Sequence, residues 1–109
     1  MSADPGLVQR IREALAQRSD VVEKRMFGGV AFMVRGHMCC GVANDDLMLR
    51  VGAERYPEAL TRPHAREMDF TKKPLKGFVY VAPAGIETDN ALESWLAWAL
   101  EFVESLPPK

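Results

Sequence analysis

Between Val30 and Val51, apolar and polar positions alternate with a period of two. Val30, Phe32 and Val34 point one way and Ala31, Met33 and Arg35 the other. Met38, Cys40 and Val42 share a face of the next run, and Leu47, Leu49 and Val51 alternate with Met48 and Arg50. Arg35-Gly36 and Asn44-Asp45-Asp46 separate these runs. Glycine tolerates positive φ, and Asn and Asp hydrogen-bond their own backbone in turns. The pattern predicts an antiparallel meander of three strands, preceded by a short extended segment over Val21–Met26.

Outside this stretch the period changes to that of a helix. After Asp4-Pro5, an acidic cap followed by a proline at the first helical position, Leu7, Val8, Ile11 and Leu15 form one stripe that ends near Arg18-Ser19-Asp20. Near the C-terminus a second stripe runs through Leu92, Trp95, Leu96, Ala99, Phe102 and Val103 to Leu106. Thr88 or Asp89 caps it, and Pro107-Pro108 stop it. Ala53 to Leu60 predicts a short helix with Tyr56, Ala59 and Leu60 inward and Pro57 in its first turn. Glu67 to Phe70 predicts a short edge strand. Phe78 to Ala82 predicts a strand with Phe78 and Tyr80 on one face and Val79 and Val81 on the other, an arrangement that suits a central position or a second face covered by another chain. The expected fold is α+β in two layers: an antiparallel sheet with an N-terminal helix, a short middle helix and a C-terminal helix, in the order helix, meander, helix, two strands, helix.

Composition narrows the function. A chain of 109 residues forms one domain, 1–109, and its 48% hydrophobic and 27% charged residues are ordinary for a soluble protein. The net charge of -1 lacks the positive excess of a stand-alone nucleic-acid binder, so direct nucleic-acid binding by this domain is not expected. The two cysteines, Cys39 and Cys40, are adjacent, and neighbours on a strand point apart, so free thiols in a reducing cytoplasm are the expectation. The N-terminus has no secretory pattern, and no apolar run approaches the ~20 residues of a membrane span.

The candidate chemistry is sparse. Gly28-Gly29 beside Lys24 and Arg25 offers backbone N–H groups and positive charge to an anion, yet matches no phosphate-loop pattern. A bulge or sharp bend at the sheet entrance, where side chains would clash, is the better reading of the glycines, and it is compatible with a pocket. Arg25, Gly28, Gly29, Arg50 and the lysine turn of Lys72, Lys73 and Lys76 are the candidate ligand- or partner-binding residues. If they converge on one pocket, a small anionic ligand is the alternative function. His37, Cys39, Cys40 and His64 lack the spacing of a zinc site, so no metal and no cofactor is expected. Thiol chemistry at Cys39 or Cys40 requires an accessible sulfur near a histidine. Met33 and Met48, with His37 and Cys39, fall on the sheet face opposite Val34 and Leu49. Trp98 lies about 60° off the C-terminal stripe. Met33, Met48 and Trp98 are therefore the candidates for an exposed partner or homodimer surface.

Arg25-Met26-Phe27-Gly28-Gly29, Gly36 before a return strand, and Leu47-Met48-Leu49-Arg50-Val51 resemble the N-terminal domain of the TfoX/Sxy proteins. So do Met68-Asp69-Phe70, Pro74-Leu75-Lys76-Gly77-Phe78-Val79-Tyr80-Val81 and the tryptophan-bearing last helix, over about residues 7 to 106. The resemblance implies a compact α+β domain. It also implies a non-catalytic regulatory or protein-interaction role, since the namesakes are transcriptional co-regulators of competence genes, with transcription machinery as the class of partner. Those proteins carry a second, helical domain. The chain ends at Lys109, so it is expected to be a stand-alone member lacking that domain. The family offers no catalytic residues to carry over.

Overall fold

The computed structural model describes residues 3–26, 28–68 and 76–107. Its elements are α1 (Pro5–Ala14), β1 (Val21–Met26), β2 (Gly29–Val34), β3 (His37–Ala43), β4 (Asp46–Arg50), α2 (Tyr56–Thr61), β5 (Ala65–Glu67), β6 (Phe78–Val81) and α3 (Asp89–Glu104), with a 3-10 turn at Pro83–Gly85. The strands form one antiparallel sheet in the order β1-β2-β3-β4-β6-β5. The α+β expectation holds, and the meander extends to four strands because Val21–Met26 pairs along its whole length with β2. β6 inserts between β4 and the three-residue edge strand β5, the first of the two placements its apolar faces suggested.

Local chemistry sets the element ends. The Asp4 carboxylate accepts from the Leu7 N–H at 3.2 Å, and Thr88 Oγ1 accepts from the Ala91 N–H at 3.0 Å, so each long helix begins at a capped N-terminus. α1 stops at Ala14, earlier than its stripe suggested. Arg18 then turns back to pair with Asp20 at 3.0 Å and with Glu104 of α3 at 2.9 Å, which starts β1 at Val21. α2 begins at Tyr56 instead of Ala53. Pro57 occupies its first turn, where a missing N–H costs nothing, and residues 53–55 form a turn. The edge strand is shifted to Ala65–Glu67, and Asp69 and Phe70 lie outside the described residues. Between β2 and β3, Arg35 (φ 56°) and Gly36 (φ 85°) are both left-handed, the geometry of a tight hairpin turn whose twist matches the strands.

The core lies between one face of the sheet and the helices. Leu7, Val8 and Ile11 of α1 and Leu92, Trp95, Leu96, Ala99 and Val103 of α3 pack on Phe32, Val34, Cys40, Val42, Leu47, Leu49, Val79 and Val81. α2 packs over β5 and β6 on the same side.

One feature corrects the predicted faces. Phe32 pairs with Cys40, but Met33 pairs with Met38, so Cys39 is an extra residue in β3. This bulge breaks the alternation. His37 moves to the core face opposite Val34, Met38 moves to the other face opposite Met33, and both cysteines belong to the core.

Candidate functional site

The other face of the sheet has no helix packed on it among the described residues. The register assigns its positions: Val22 and Lys24 on β1, then Ala31 and Met33 on β2, then Met38 and Gly41 on β3. Met48 and Arg50 on β4, Phe78 and Tyr80 on β6, and Arg66 on β5 complete it. None of the apolar residues of this set belongs to the core cluster or packs against it. Val22 is 55% exposed, the one exposed large hydrophobic residue among those described. Met33, Met38, Phe78 and Tyr80 are half-buried, and Ala31 and Met48 are buried. Met33 thus sits where the sequence placed it. Met48 lies on the expected face but is only 1% exposed, because its methyl group packs over the bare backbone of Gly41.

Charge is sorted between the two faces. Of the acids on strands, Glu23 and Glu67 point to the helix side, where Arg12 holds Glu23 through two hydrogen bonds of 2.7 and 2.8 Å and the Tyr56 hydroxyl donates to Glu67 at 3.2 Å. Asp46 stands on the open face, and Arg66 pairs with it at 2.6 Å. The register puts Lys24, Arg50 and Arg66 on this face, but Arg50 also meets Phe102 of α3 and Lys24 also lines the cleft between α1 and β1. Arg66 lies 4.8 Å over the Tyr80 ring, and Arg50 lies 5.6 Å over Phe78 and 5.3 Å over Phe102.

The predicted anion-binding residues do not converge. Arg25 pairs with Val30 on edge strand β1, whereas Arg50 ends β4 three strands away, roughly 14 Å across the sheet, and at the opposite end of the ladder. Arg25 instead lines a cleft of about 510 Å³ between α1 and β1, together with Lys24, Arg12 and Glu23. Gly28 (φ 74°) is exposed at the β1–β2 turn. Gly29 is buried against the Val42 backbone, where any Cβ would strike the carbonyl oxygen. The pair is therefore a bend and a close strand approach, the structural account of the two. Lys76 is exposed in the turn before β6, and Lys72 and Lys73 lie outside the described residues.

Cys39 and Cys40 are both 0% exposed. A hydrogen bond with Cys39, added to burial, pushes the Cys40 thiol well above its ordinary range. A buried, protonated thiol is a poor nucleophile. His37 is committed elsewhere, its Nε2 lying 2.6 Å from the carbonyl oxygen of Pro107, beyond the end of α3. No three His, Cys, Asp or Glu residues among those described are placed to hold a metal ion. No described helix is long and apolar enough to cross a membrane.

Trp98 also departs from its predicted role. It is half-buried, set edge-on to Trp95 with ring centres 5.7 Å apart, and clamped between Arg55 at 4.7 Å and Arg62 at 4.9 Å. Arg62 also lies 3.9 Å from the Trp95 ring. These arginines flank α2, so the clamp ties α2 to α3; Arg55 pairs with Glu101 at 2.8 Å to the same effect. Sequence reading missed both arginines, because nothing in their spacing marks a contact with a helix that lies far along the chain.

An antiparallel sheet with helices on one face and an apolar, cation-bearing second face defines an α+β domain of the open-sheet class. Comparison with known families matches residues 13–103 to the TfoX N-terminal domain, and the chain belongs to that family. No curated protein and no solved structure matches it.

Proposed function

We propose that this is a non-catalytic protein-interaction domain with a regulatory role, and that the open sheet face is its binding surface. The observation that carries the reading is the separation of the apolar residues into two sets. One set is buried under α1 and α3; the other, centred on Met33 and Met38, stands on a face no described helix covers. A contiguous apolar face that is partly open and under no described helix suits an interaction site. Methionine-rich surfaces adapt to a partner because the thioether chain is flexible and polarizable. Family membership supports the regulatory part, through the co-regulator role that the resemblance implies. Transcription machinery is the partner class it suggests, and a second copy of the chain is the other candidate for this face.

Site-specific photo-crosslinking tests the reading. A benzoylphenylalanine placed at Val22 or Met33 should give a discrete adduct in the protein's own cells, and one placed at the exposed Glu93 of α3 should not. Adducts from Glu93 alone, or none from Val22 and Met33, would contradict it.

A further inference from the structure

We infer that the cleft between α1 and β1 is a binding site for a small organic phosphomonoester, distinct from the partner surface on the open face. The cleft encloses about 510 Å³, inside the range of roughly 300 to 1,000 Å³ typical of small-molecule sites. Val8 of α1 and Val30 of β2 give it an apolar wall, and Arg12, Glu23, Lys24 and Arg25 supply its charge.

That charge is not balanced. Arg12 and Glu23 satisfy each other through their two hydrogen bonds of 2.7 and 2.8 Å. Lys24 and Arg25 are exposed and have no hydrogen-bond or ion-pair partner among the described residues. The nearby acids are engaged elsewhere: Asp4 accepts from the Leu7 N–H, and Asp20 pairs with Arg18. The lining therefore presents two uncommitted cations, in a chain whose net charge is -1. Lys24 belongs to the open face by register yet reaches the cleft, because β1 is an edge strand with no strand beyond it.

Backbone donors stand beside these cations. The Arg35 N–H donates to the Asp20 carbonyl oxygen at 3.2 Å, and the β1–β2 register sets these two residues opposite each other. That bond fixes the phase of the ladder. Val22 and Lys24 bond to β2, and the backbone groups of Glu23 and Arg25 point outward from the edge. An anion here meets two cations and two outward N–H groups. The doubly charged head of a phosphomonoester matches that pair better than a singly charged carboxylate or phosphodiester does, and a guanidinium fork fits its oxygens. The apolar wall suits the organic group of the ester, and an inorganic ion would leave it unused.

The test is a titration of the isotope-labelled whole chain, followed through its backbone amide resonances. The probes are phenyl phosphate, inorganic phosphate, benzoate, and vesicles carrying phosphatidic acid. Phenyl phosphate should bind at least about tenfold more tightly than inorganic phosphate or benzoate, and more weakly as salt is raised. It should shift the amides of Val8, Lys24, Arg25 and Val30. Lys24→Gln and Arg25→Gln should each weaken it several-fold with the unfolding midpoint unchanged. Arg10→Gln, on α1 but paired with Asp89 outside the cleft, should leave it as it is. Equal affinity for benzoate or inorganic phosphate, shifts confined to residues outside the cleft, indifference to both substitutions at positions 24 and 25, or no saturable binding would each overturn the inference. Vesicles bound in preference to phenyl phosphate would overturn the soluble ligand and assign the monoester to a lipid headgroup.

Discussion

Arg66 donates to Asp46 across the open sheet face at 2.6 Å, from edge strand β5 over β6 to β4. The pair engages the one acid that the register places on that face beside Lys24 and Arg50, and leaves the rest of the surface apolar or cationic. This sorting of charge gives the domain two dissimilar sides.

The two glycines at the head of β2 should differ in their tolerance of a side chain. Gly29→Ala forces a Cβ into the Val42 carbonyl oxygen, which neither strand can yield without breaking the ladder, and should cost about 3 kcal/mol. Gly28→Ala introduces the strain of a left-handed backbone at an exposed turn and should cost about 1 kcal/mol. Urea unfolding of both variants measures the difference, and equal costs would argue against the close approach of β2 and β3.

The thiols should be inert in the folded protein. Both sulfurs are buried in the core and Cys40 is held in its protonated form, so labelling at neutral pH requires unfolding. Its rate should fall at least about a thousandfold below that of the denatured chain. Rapid labelling of one thiol in native buffer would place that cysteine outside the core and reopen the question of thiol chemistry.

Acid should weaken the fold through the pairs that tie α1 and α3 to β1 and its approach. Arg12 holds the Glu23 carboxyl below its ordinary range, and Arg18 does the same for Asp20. A carboxylate whose pKa is lower in the folded state stabilises above its unfolded value, and the contribution is lost as pH falls through the folded value. The stability difference between the natural chain and Glu23→Gln should therefore be constant near neutrality and shrink below about pH 4. Unfolding midpoints measured across that range provide the check; a difference that grows on acidification would contradict the assignment.

The arginine–tryptophan clamp should be a stabilising joint between α2 and α3. Arg62→Ala removes the cation stacked on Trp95 and Trp98 and should cost about 1 kcal/mol. Arg62→Lys should recover only part of that, since an ammonium cannot stack as a plane. Tryptophan fluorescence during urea unfolding reads both variants, and full recovery by lysine would mean that charge alone, without stacking, accounts for the contact.

Much of the architecture was legible in the sequence because hydrophobic period reports local structure directly. The alternation of Val30, Phe32 and Val34 located β2, and the stripe through Leu92, Trp95 and Leu96 located α3. The bulge at Cys39 was not legible, since a single inserted residue leaves the same residue types in the run and is fixed by pairing with β2. That one residue reversed the faces of His37 and Met38, so the composition of the open face was read only in part: Met33 and Met48 correctly, Met38 not. The exposure of Met48 and Trp98 depends on partners distant in the chain, Gly41 for one and Arg55 with Arg62 for the other, which period cannot supply. The spread of Arg25 and Arg50 to opposite ends of the sheet likewise follows from strand order, a property of the whole fold.

Binding at the open face requires that the face be accessible to a partner, and the methionine methyl groups report on that directly. With labelled methionine methyls and a neutral paramagnetic relaxation agent in solution, the resonances of Met33 and Met38 should relax rapidly, while those of Met48 and Met68, at 1% and 2% exposure, should change little. Met33 and Met38 as well protected as Met68 would show the face to be covered, and would contradict binding there.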